Sequence, residues 1–471
     1  MREGPEIDIQ TKKEMLRYHL GRHFYAFCQF FDPGFFSNDK PHLTRICDAL
    51  QKVTEGRTRK LMMSLPPRAG KSYTTSLWCA WMIGRGRNDP NTSIMRNSYG
   101  QSLAEKFSYD IRTIVQNPNF QAVFPGVVIK TDHSRVEDWA VEGSKQSTYF
   151  CGGVGGALTG KGCHTAAILD DPVKNLDEAL SEVVLEKTWA WYLSTHRSRM
   201  ESGCPEIHIA TRWSKKDPIG RVLDSLEAGD YEKIVIPALI DGRSFCEGVK
   251  TTEEFLEMRR IVDDAIWEAE YMQNPIESKG LLFPEHELKR FALNELSDDR
   301  TGAIIGYTDT ADEGTDYLAS LAVAISGEKA FLLDVVFTQD PIEVTEALVA
   351  QQIINTKQVR HVVESNSGGK SFARNVQKII KGRSRCHITW KPTTQNKETR
   401  ILMTSGQVKE YFHFRSDYEA GSQYDKFMRQ LTSYVKMGRN QGDDAPDALT
   451  GIAEQVFSPG SIKFLSSEVM Q

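Results

Sequence analysis

Residues 61–72 read LMMSLPPRAGKS and carry the strongest structural signal in the chain. An apolar run of strand length is followed by a Pro-Pro turn, by Gly70-Lys71-Ser72 and by a segment of helical length, the context that a phosphate-binding loop needs. There Lys71 would reach the β- and γ-phosphate oxygens, and the Ser72 hydroxyl would hold Mg²⁺. The first glycine of the usual pattern is replaced by Leu65, so the sequence predicts a variant of this loop.

Outward from this loop, apolar runs of strand length alternate with segments of helical length. This alternation predicts a parallel sheet covered by helices on both faces. A helix is predicted at 11–31 and another at 42–55, before the alternation begins. The predicted strands are 61–65, 93–99, 165–170 and 206–211, and the helices that follow them are 71–84, 101–116, 177–194 and 217–228.

Two acids end the third of these strands, where Ala-Ala-Ile-Leu runs into Asp170-Asp171. In phosphate-loop enzymes the first acid of such a pair binds the metal ion and the second polarises the attacking water. The following strand ends in Thr211 and Arg212, either of which could sense the γ-phosphate. An ordinary polar strand end is an equally good interpretation of those two residues.

After a charged, irregular stretch at 237–300 the rhythm changes. Runs at 303–311, 317–326 and 329–338 predict three antiparallel strands, and helix–strand alternation resumes through 360–365 and 387–392, the order of an RNase H-like fold. The predicted organisation is therefore a parallel-sheet ATPase domain of the RecA type, then a lid and linker, then a nuclease domain and a tail. The boundaries are 1–236, with an N-terminal helical extension, 237–300, 301–460 and 461–471.

Acids in the second predicted domain fall where an RNase H-like nuclease needs them. Asp309 lies in the first strand, Glu364 ends the fourth, and Asp444 and Asp447 share one face of the last helix. Acids placed in this way can hold two divalent ions that activate water and stabilise the leaving oxygen. Singly, each acid is also compatible with a solvated strand end or a helix cap, and Asp443 is the one we expect to be only a cap.

Charge and composition restrict the function further. The 471 residues carry 58 Lys and Arg against 63 Asp and Glu, a net charge of −5, yet one stretch, 357–400, is strongly basic. Either it binds phosphate backbones without reading sequence, or it is a solvated face. Its basic residues are Lys357, Arg360, Lys370, Arg374, Lys378, Lys381, Arg383, Arg385, Lys391, Lys397 and Arg400, against Glu364 and Glu398.

Membrane, secretory and zinc-binding classes lack support in the sequence. No apolar run approaches the roughly 18 residues that span a bilayer, and the opening MREGPEIDIQ lacks a secretory pattern. The eight cysteines include no Cys-x-x-Cys pair, so we expect reduced thiols in a cytoplasmic protein.

Five segments in order carry a family resemblance: PPRAGKS, GGVGGALTGKG (152–162), ILDDPVKN (168–175), ATRW (210–213) and AEYMQNP (269–275). Together they resemble the large subunit of a tailed-phage DNA-packaging terminase, whose phosphate loop commonly carries Pro-Pro-Arg in place of the first glycine.

The resemblance implies roles for particular residues. Arg68 would contact the nucleotide phosphates, Lys71 and Ser72 would bind them with Mg²⁺, and Gly70 would complete the loop. Asp170 would coordinate the metal, and Asp171, shorter than the Glu often found there, would activate water. The segment ATRW would couple hydrolysis to movement.

Two further family features are sought nearby. His42 and neighbouring aromatics lie where an adenine contact is expected. Lys161 occupies the region of a trans-acting arginine finger.

The same resemblance implies cofactors and partners. These are ATP, Mg²⁺ with Mn²⁺ able to substitute at the nuclease site, double-stranded viral DNA, a portal protein and a terminase small subunit. A ring of five copies on the portal, in the host cytoplasm and away from membranes, is the expected assembly. Two other functions stay open: a repair or helicase-like ATPase that does not package DNA, and a non-catalytic capsid-assembly component.

Overall fold

The computed structural model describes residues 8–156, 158, 160–275, 280–296, 302–310, 316–366, 368–436, 440 and 442–457. The chain forms two compact units. The first is Met1–Leu256 with Ala265–Glu277, and the second is Glu257–Asp264 with Ser278–Gln471. The stretch expected as lid and linker, 237–300, is therefore shared between the two units. The predicted tail 461–471 lies outside the described residues.

A mostly parallel sheet forms the centre of the first unit. Its strand order is β3-β4-β5-β2-β6-β7-β1-β8, parallel from β5 to β8 and antiparallel at the β3–β4–β5 edge. The strands are β1 Lys60–Ser64, β2 Ile94–Ser98, β3 Ile129–Arg135, β4 Asp138–Val141, β5 Tyr149–Gly153, β6 Ala166–Asp170, β7 Glu206–Ala210 and β8 Glu232–Val235, followed by the hairpin β9 Leu239–Ile240 and β10 Arg243–Ser244.

Helices accompany this sheet in the order that the alternating pattern predicted. They are α1 Ile9–Leu20, α2 Phe24–Phe31, α3 Pro41–Thr54, α4 Lys71–Arg85, α5 Gln101–Gln116, α6 Pro118–Val123, α7 Leu176–Leu180, α8 Glu182–Trp191 and α9 Pro218–Leu223. Where the chain passes between the units it forms α10 Thr252–Ile261 and α11 Asp264–Ile266. Single turns of π-helix occupy Tyr192–His196 and Trp267–Tyr271, and 3-10 turns occupy Arg197–Arg199 and Leu226–Asp230.

The single helix predicted at 11–31 is wrong, because the chain breaks between α1 and α2. Gly21 closes α1 by donating its N–H to the Arg17 carbonyl. The side chain of Gln51 then accepts the Phe24 N–H and donates to the Arg22 carbonyl. These hydrogen bonds satisfy some of the backbone groups that the break leaves without partners inside a helix, and so they stabilise two helices in place of one.

A seven-stranded mixed sheet forms the centre of the second unit, in the order β11-β17-β14-β13-β12-β15-β16. The strands are β11 Lys289–Phe291, β12 Ile304–Asp309, β13 Leu318–Ser326, β14 Lys329–Thr338, β15 Arg360–Glu364, β16 His387–Lys391 and β17 Phe412–Arg415. The helices are α12 Ile342–Asn355, α13 Gly369–Ile380, α14 Lys397–Tyr411, α15 Gln423–Ser433 and α16 Asp444–Phe457, with 3-10 turns at Glu285–Glu287 and Leu293–Glu295.

The topology of this second sheet brings three acid-bearing elements together. The strands β12, β13 and β14 form an antiparallel meander, and β15 then pairs parallel to β12. Helix α16 packs on β12 and β13, where Gly451 faces the Tyr307 ring so closely that a Cβ would lie 2.2 Å from its Cζ. The predicted α/β class and the RNase H-like strand order are thus confirmed.

Two expectations about composition can be compared with the structure. All eight cysteines are buried free thiols. None of the helices in the described part of the chain combines the length and the apolar character that crossing a membrane requires.

Candidate nucleotide and nuclease sites

The phosphate loop joins β1 to α4 through two left-handed residues. Arg68 has φ of 67° and Gly70 has φ of 84°, and Gly70 precedes the first residue of α4. A Cβ on Gly70 would lie 2.8 Å from Cζ of Phe35, so glycine is required by both conformation and space. None of the described side chains caps α4, and its first N–H groups therefore stay available for an anion.

Lys71 is buried at the start of α4 and contacts the end of β7. Its Nζ donates to Thr211 Oγ1 at 2.7 Å and lies 3.4 Å from the Leu65 carbonyl oxygen. Thr211 is thus the residue of the ATRW segment that contacts the loop. Arg212, the other candidate sensor, bonds Asp217 instead, with Nε 3.2 Å from Oδ2.

Asp170 is wholly buried at the end of β6 and pairs with Arg96 of β2. Arg96 Nε lies 3.1 Å from Asp170 Oδ2, and its Nη2 also donates to the same oxygen and to the Ser72 carbonyl. Burial raises the pKa of the Asp170 carboxyl, and the Arg96 charge opposes this shift. The other oxygen, Oδ1, is buried and has no hydrogen-bond partner among the described residues, and a free carboxylate oxygen suits Mg²⁺.

Asp171 has a different environment from its neighbour. Its φ is 44°, and its Oδ1 accepts the Thr211 N–H at 3.0 Å. Its own N–H donates to the Ile209 carbonyl at 2.7 Å, and its carbonyl accepts the Tyr99 N–H. Asp171 therefore holds the ends of β6 and β7 together and also faces the site.

A cavity of about 460 Å³ unites most of these groups. Of the residues predicted for the nucleotide site, the cavity wall includes Arg68, Gly70, Lys71, Ser72, Asp171 and Thr211; Asp170 and Arg212 are not part of it. The rest of the wall is Phe35, Pro67, Tyr73, Tyr99, Val173, Lys174, Trp213 and Glu270.

The two remaining nucleotide-site candidates, His42 and Lys161, are not among the residues that line this cavity. His42 packs edge-on against Phe245, and burial, with the Lys40 charge, lowers its pKa to about 4. Lys161 forms an ion pair with Asp138, with Nζ 2.7 Å from Oδ2. The aromatic residues that do line the cavity are Phe35, Tyr73, Tyr99 and Trp213.

In the second unit the predicted acids lie on three neighbouring elements of the fold. Asp309 ends β12, Glu364 ends the neighbouring parallel strand β15, and Asp444 and Asp447 begin α16. Burial raises the pKa of Asp309 well above its usual range, and the charges of Asp447, Glu364 and Asp444 raise it further. The four carboxylates are therefore close enough to interact electrostatically.

Hydrogen bonds orient Glu364. The Tyr307 hydroxyl donates to its Oε2 at 2.6 Å, and Asn366 Nδ2 donates to its Oε1 at 2.9 Å. By contrast, Asp309 accepts no side-chain hydrogen bond among the described residues.

Two cations of α14 hold Asp447. Lys397 Nζ lies 3.2 Å from Asp447 Oδ2 and 2.9 Å from Asp443 Oδ1. Arg400 Nη2 lies 2.9 Å from Asp447 Oδ1 and also pairs with Glu454. These two members of the basic run therefore neutralise internal acids.

The carboxylate set has the oxygen chemistry that Mg²⁺ and Mn²⁺ prefer. Nevertheless, where the chain is described, no three His, Cys, Asp or Glu side chains are spaced as a metal site. Both oxygens of Asp447 contact Lys397 and Arg400, and both oxygens of Glu364 accept hydrogen bonds from Tyr307 and Asn366.

Three charged residues have roles in these sites that were not predicted from the sequence. Arg96 was missed, although a charged residue within the strand IMRNS was a signal that it has a buried partner. The cation pair Lys397 and Arg400 was assigned only to the basic stretch. Their spacing of three on a helix was the clue that they share a face.

Comparisons with known proteins agree with this geometry. Residues 308–408 match the family described as Terminase Bacteriophage T7, Ribonuclease H-like domain. No curated protein matches the sequence.

Among solved structures, the large terminase of the thermophilic bacteriophage D6E is 10% identical, with a TM-score of 0.51 over 89% of this chain and 98% of that one. Another crystal form, in complex with ATP-gamma-S, is 11% identical, with a TM-score of 0.49 over 89% and 98%. The Mn-soaked, inhibitor-bound terminase nuclease domain of human cytomegalovirus is 12% identical, with a TM-score of 0.32 over 39% and 98%.

Of these three likenesses, the first alone exceeds a TM-score of 0.5, and at 10% identity it shows a shared fold and no more. It extends over both predicted domains, while the family match supports the second one by sequence. The resemblance seen in the sequence is thereby confirmed: this chain has the architecture of a phage terminase large subunit, and its residues 308–408 match the terminase RNase H-like domain family.

Proposed function

We propose that this protein is an ATP-driven translocase of double-stranded DNA joined to a metal-dependent endonuclease, and that it packages a viral genome into a procapsid as a terminase large subunit. The observation that supports this most strongly is that one chain of this architecture has both a phosphate-loop cavity and, on an RNase H-like sheet and the helix α16 packed on it, four carboxylates that interact electrostatically.

In the ATPase site the chain supplies the positive charge and the donors that a triphosphate needs. Lys71 binds the β- and γ-phosphates, the free N–H groups of α4 surround them, and Arg68 adds a second cation. Ser72 and Asp170 would hold Mg²⁺, which spreads the charge of the transferring phosphoryl group. Because Lys71 donates a hydrogen bond to Thr211, movement of the Lys71 ammonium toward phosphate would break or shift this contact at the end of β7.

In the nuclease site Asp309, Glu364, Asp444 and Asp447 would hold Mg²⁺ or Mn²⁺, ions that activate water and stabilise the leaving oxygen. The contribution of the chain is orientation: Tyr307 fixes Glu364 through its hydroxyl. Asp309 is partly buried among like charges, so its ionised form is the one that a cation stabilises most.

Duplex DNA would lie along the exposed face of α13, where Lys370, Arg374 and Lys378 recur every four residues. Arg374 also lies over the Trp390 ring at 5.6 Å. Cations at this spacing contact phosphates without reading bases.

The expected partners are proposals of the same kind. A portal protein, a small terminase subunit, a ring of five copies and a host-cytoplasmic location rest on the family resemblance.

The test is a pair of assays on the full chain: DNA-stimulated ATP hydrolysis and cleavage of plasmid DNA with Mg²⁺ or Mn²⁺. Lys71→Ala should reduce hydrolysis to background while metal-dependent cleavage persists. Asp309→Asn should abolish cleavage while hydrolysis persists. The matched controls Lys13→Ala and Asp340→Asn change exposed residues that belong to neither site, and both should behave as wild type.

Either of two results contradicts the proposal. Normal hydrolysis by a folded Lys71→Ala protein would exclude the motor assignment. Normal cutting by Asp309→Asn would exclude the nuclease assignment.

A further inference from the structure

A second carboxylate lines the nucleotide cavity besides Asp171. Glu270 belongs to the AEYMQNP segment and lies in the π-helical turn Trp267–Tyr271 of the first unit. Its side chain is partly buried, and within the described residues its carboxylate accepts no hydrogen bond and forms no ion pair. An acid that is kept partly from water, without an internal partner, is typical of a reactive group and not of a structural one.

The turn that carries Glu270 is hydrogen-bonded to the segment that follows the C-terminal end of β7. Gln273, a buried residue with φ of 59°, donates from Nε2 to the Glu270 carbonyl at 2.5 Å. Its Oε1 accepts the Arg212 N–H at 3.3 Å. Because Thr211 precedes Arg212 and bonds Lys71, the turn and the phosphate loop are both attached to one strand end.

The two acids of the cavity differ in what their oxygens already do. Asp171 uses Oδ1 to hold the Thr211 N–H, whereas Glu270 has both carboxylate oxygens free for the cavity among the residues described. We propose that Glu270, and not Asp171, is the carboxylate that accepts the proton of the attacking water. This inference rests on the ATPase activity proposed above.

The step balances as follows. The water oxygen forms a bond to the γ-phosphorus as one water proton moves to the Glu270 carboxylate. The bond from that phosphorus to the bridging oxygen breaks, and its electron pair leaves with ADP. Glu270 then returns the proton to the released phosphate.

The protonation state of Glu270 suits this role. Burial raises its pKa to about 6, and the Lys71 charge opposes the rise. Arg68, Lys174 and Asp171 are the other charged groups of the cavity wall. At pH 7 to 8 the Glu270 carboxylate is therefore ionised, and its pKa is close to the range that suits a general base. As the pH falls below about 6 it becomes protonated and can no longer accept a proton.

The experiment compares four single variants of the full chain with wild type for ATP binding, kcat and the dependence of kcat on pH. Glu270→Gln keeps the size of the side chain but cannot accept the proton. We expect its kcat to fall about 100-fold or more while ATP affinity changes less than about threefold. Its pH profile should lack the decline below about pH 6 that we expect of wild type.

Two variants serve as matched comparisons. Glu268→Gln alters a carboxylate in the same π-turn that does not line the cavity, and it should turn over within about twofold of wild type. Asp171→Asn keeps an oxygen that can accept the Thr211 N–H, and it should retain clearly more activity than Glu270→Gln.

Glu270→Asp keeps the carboxylate, but the shorter side chain places it farther from the cavity. Its kcat should therefore lie between those of wild type and Glu270→Gln. This variant still tests the role if Glu270→Gln fails to bind ATP because it is misfolded.

Three outcomes overturn the inference while the ATPase assignment stands. The first is that Glu270→Gln has the kcat of wild type, and the second is that its kcat still declines at acidic pH. The third is that Asp171→Asn hydrolyses no ATP whereas Glu270→Gln remains active. If wild type itself hydrolyses no ATP with DNA and Mg²⁺ present, the proposed function fails, and the inference fails with it.

Discussion

Removing the Arg96 guanidinium should destabilise the first unit more than any surface substitution. Arg96 and its partner Asp170 are both completely buried. Besides this ion pair, Arg96 Nη1 donates to Ser76 Oγ at 2.8 Å and Nη2 to the Ser72 carbonyl at 3.1 Å. The guanidinium also lies 3.9 Å from the centre of the Phe107 ring. The change Arg96→Met keeps much of the volume and removes all of these polar contacts.

The magnitude follows from the charge that stays behind. Removing one member of a buried ion pair costs about 3–5 kcal/mol, because the other charge remains buried without compensation. For a folded unit of this size about 2 °C of melting temperature corresponds to 1 kcal/mol, so the first unit should melt about 6–10 °C lower. Adding Asp170→Asn removes the uncompensated charge and should recover most of the loss.

The assay is urea and thermal unfolding of wild type, Arg96→Met, Asp170→Asn and the double variant. Arg57→Met is the control, because Arg57 pairs with Glu55 at the surface and its loss should cost at most about 1 kcal/mol. The reasoning is refuted if Arg96→Met unfolds within 1 kcal/mol of wild type. It is equally refuted if the double variant is less stable than Arg96→Met alone.

Two further predictions concern the second unit. Changing Lys370, Arg374 and Lys378 together to Gln should weaken duplex binding and reduce the slope of log affinity against log salt by about 0.9 for each lost phosphate contact; an unchanged slope would show that α13 is a solvated face. Gly451→Ala, which would stabilise an isolated helix, should instead cost about 1–3 kcal/mol in denaturant unfolding and abolish plasmid cleavage, because its Cβ collides with Tyr307. Cutting at the wild-type rate by Gly451→Ala would show that the close approach of α16 is dispensable.

Much of both sites could be predicted from the sequence because the signals are local. A strand, a turn and Gly-Lys-Ser before a helix specify a phosphate loop, and the structure places Lys71 and Ser72 in the wall of one cavity. Acids at strand ends are equally informative, since the carboxyl ends of parallel strands meet at one edge of a sheet. For this reason Asp309 and Glu364 could be assigned to one site from the sequence alone, and the parallel pairing of β12 with β15 places their strands side by side.

Periodicity and near neighbours along the chain are thus enough to predict the fold class, the order of elements and the residues that end each strand. Which charges meet depends instead on how distant segments pack. Arg96 lies 74 residues from Asp170, and Lys397 lies 50 residues before Asp447, so no local pattern links either pair. In the sequence Glu270 is part of the resemblance segment AEYMQNP without a role of its own, and it is the π-turn that places it in the cavity wall. The physical reason is that packing brings distant segments together, and burial then makes each such contact strong.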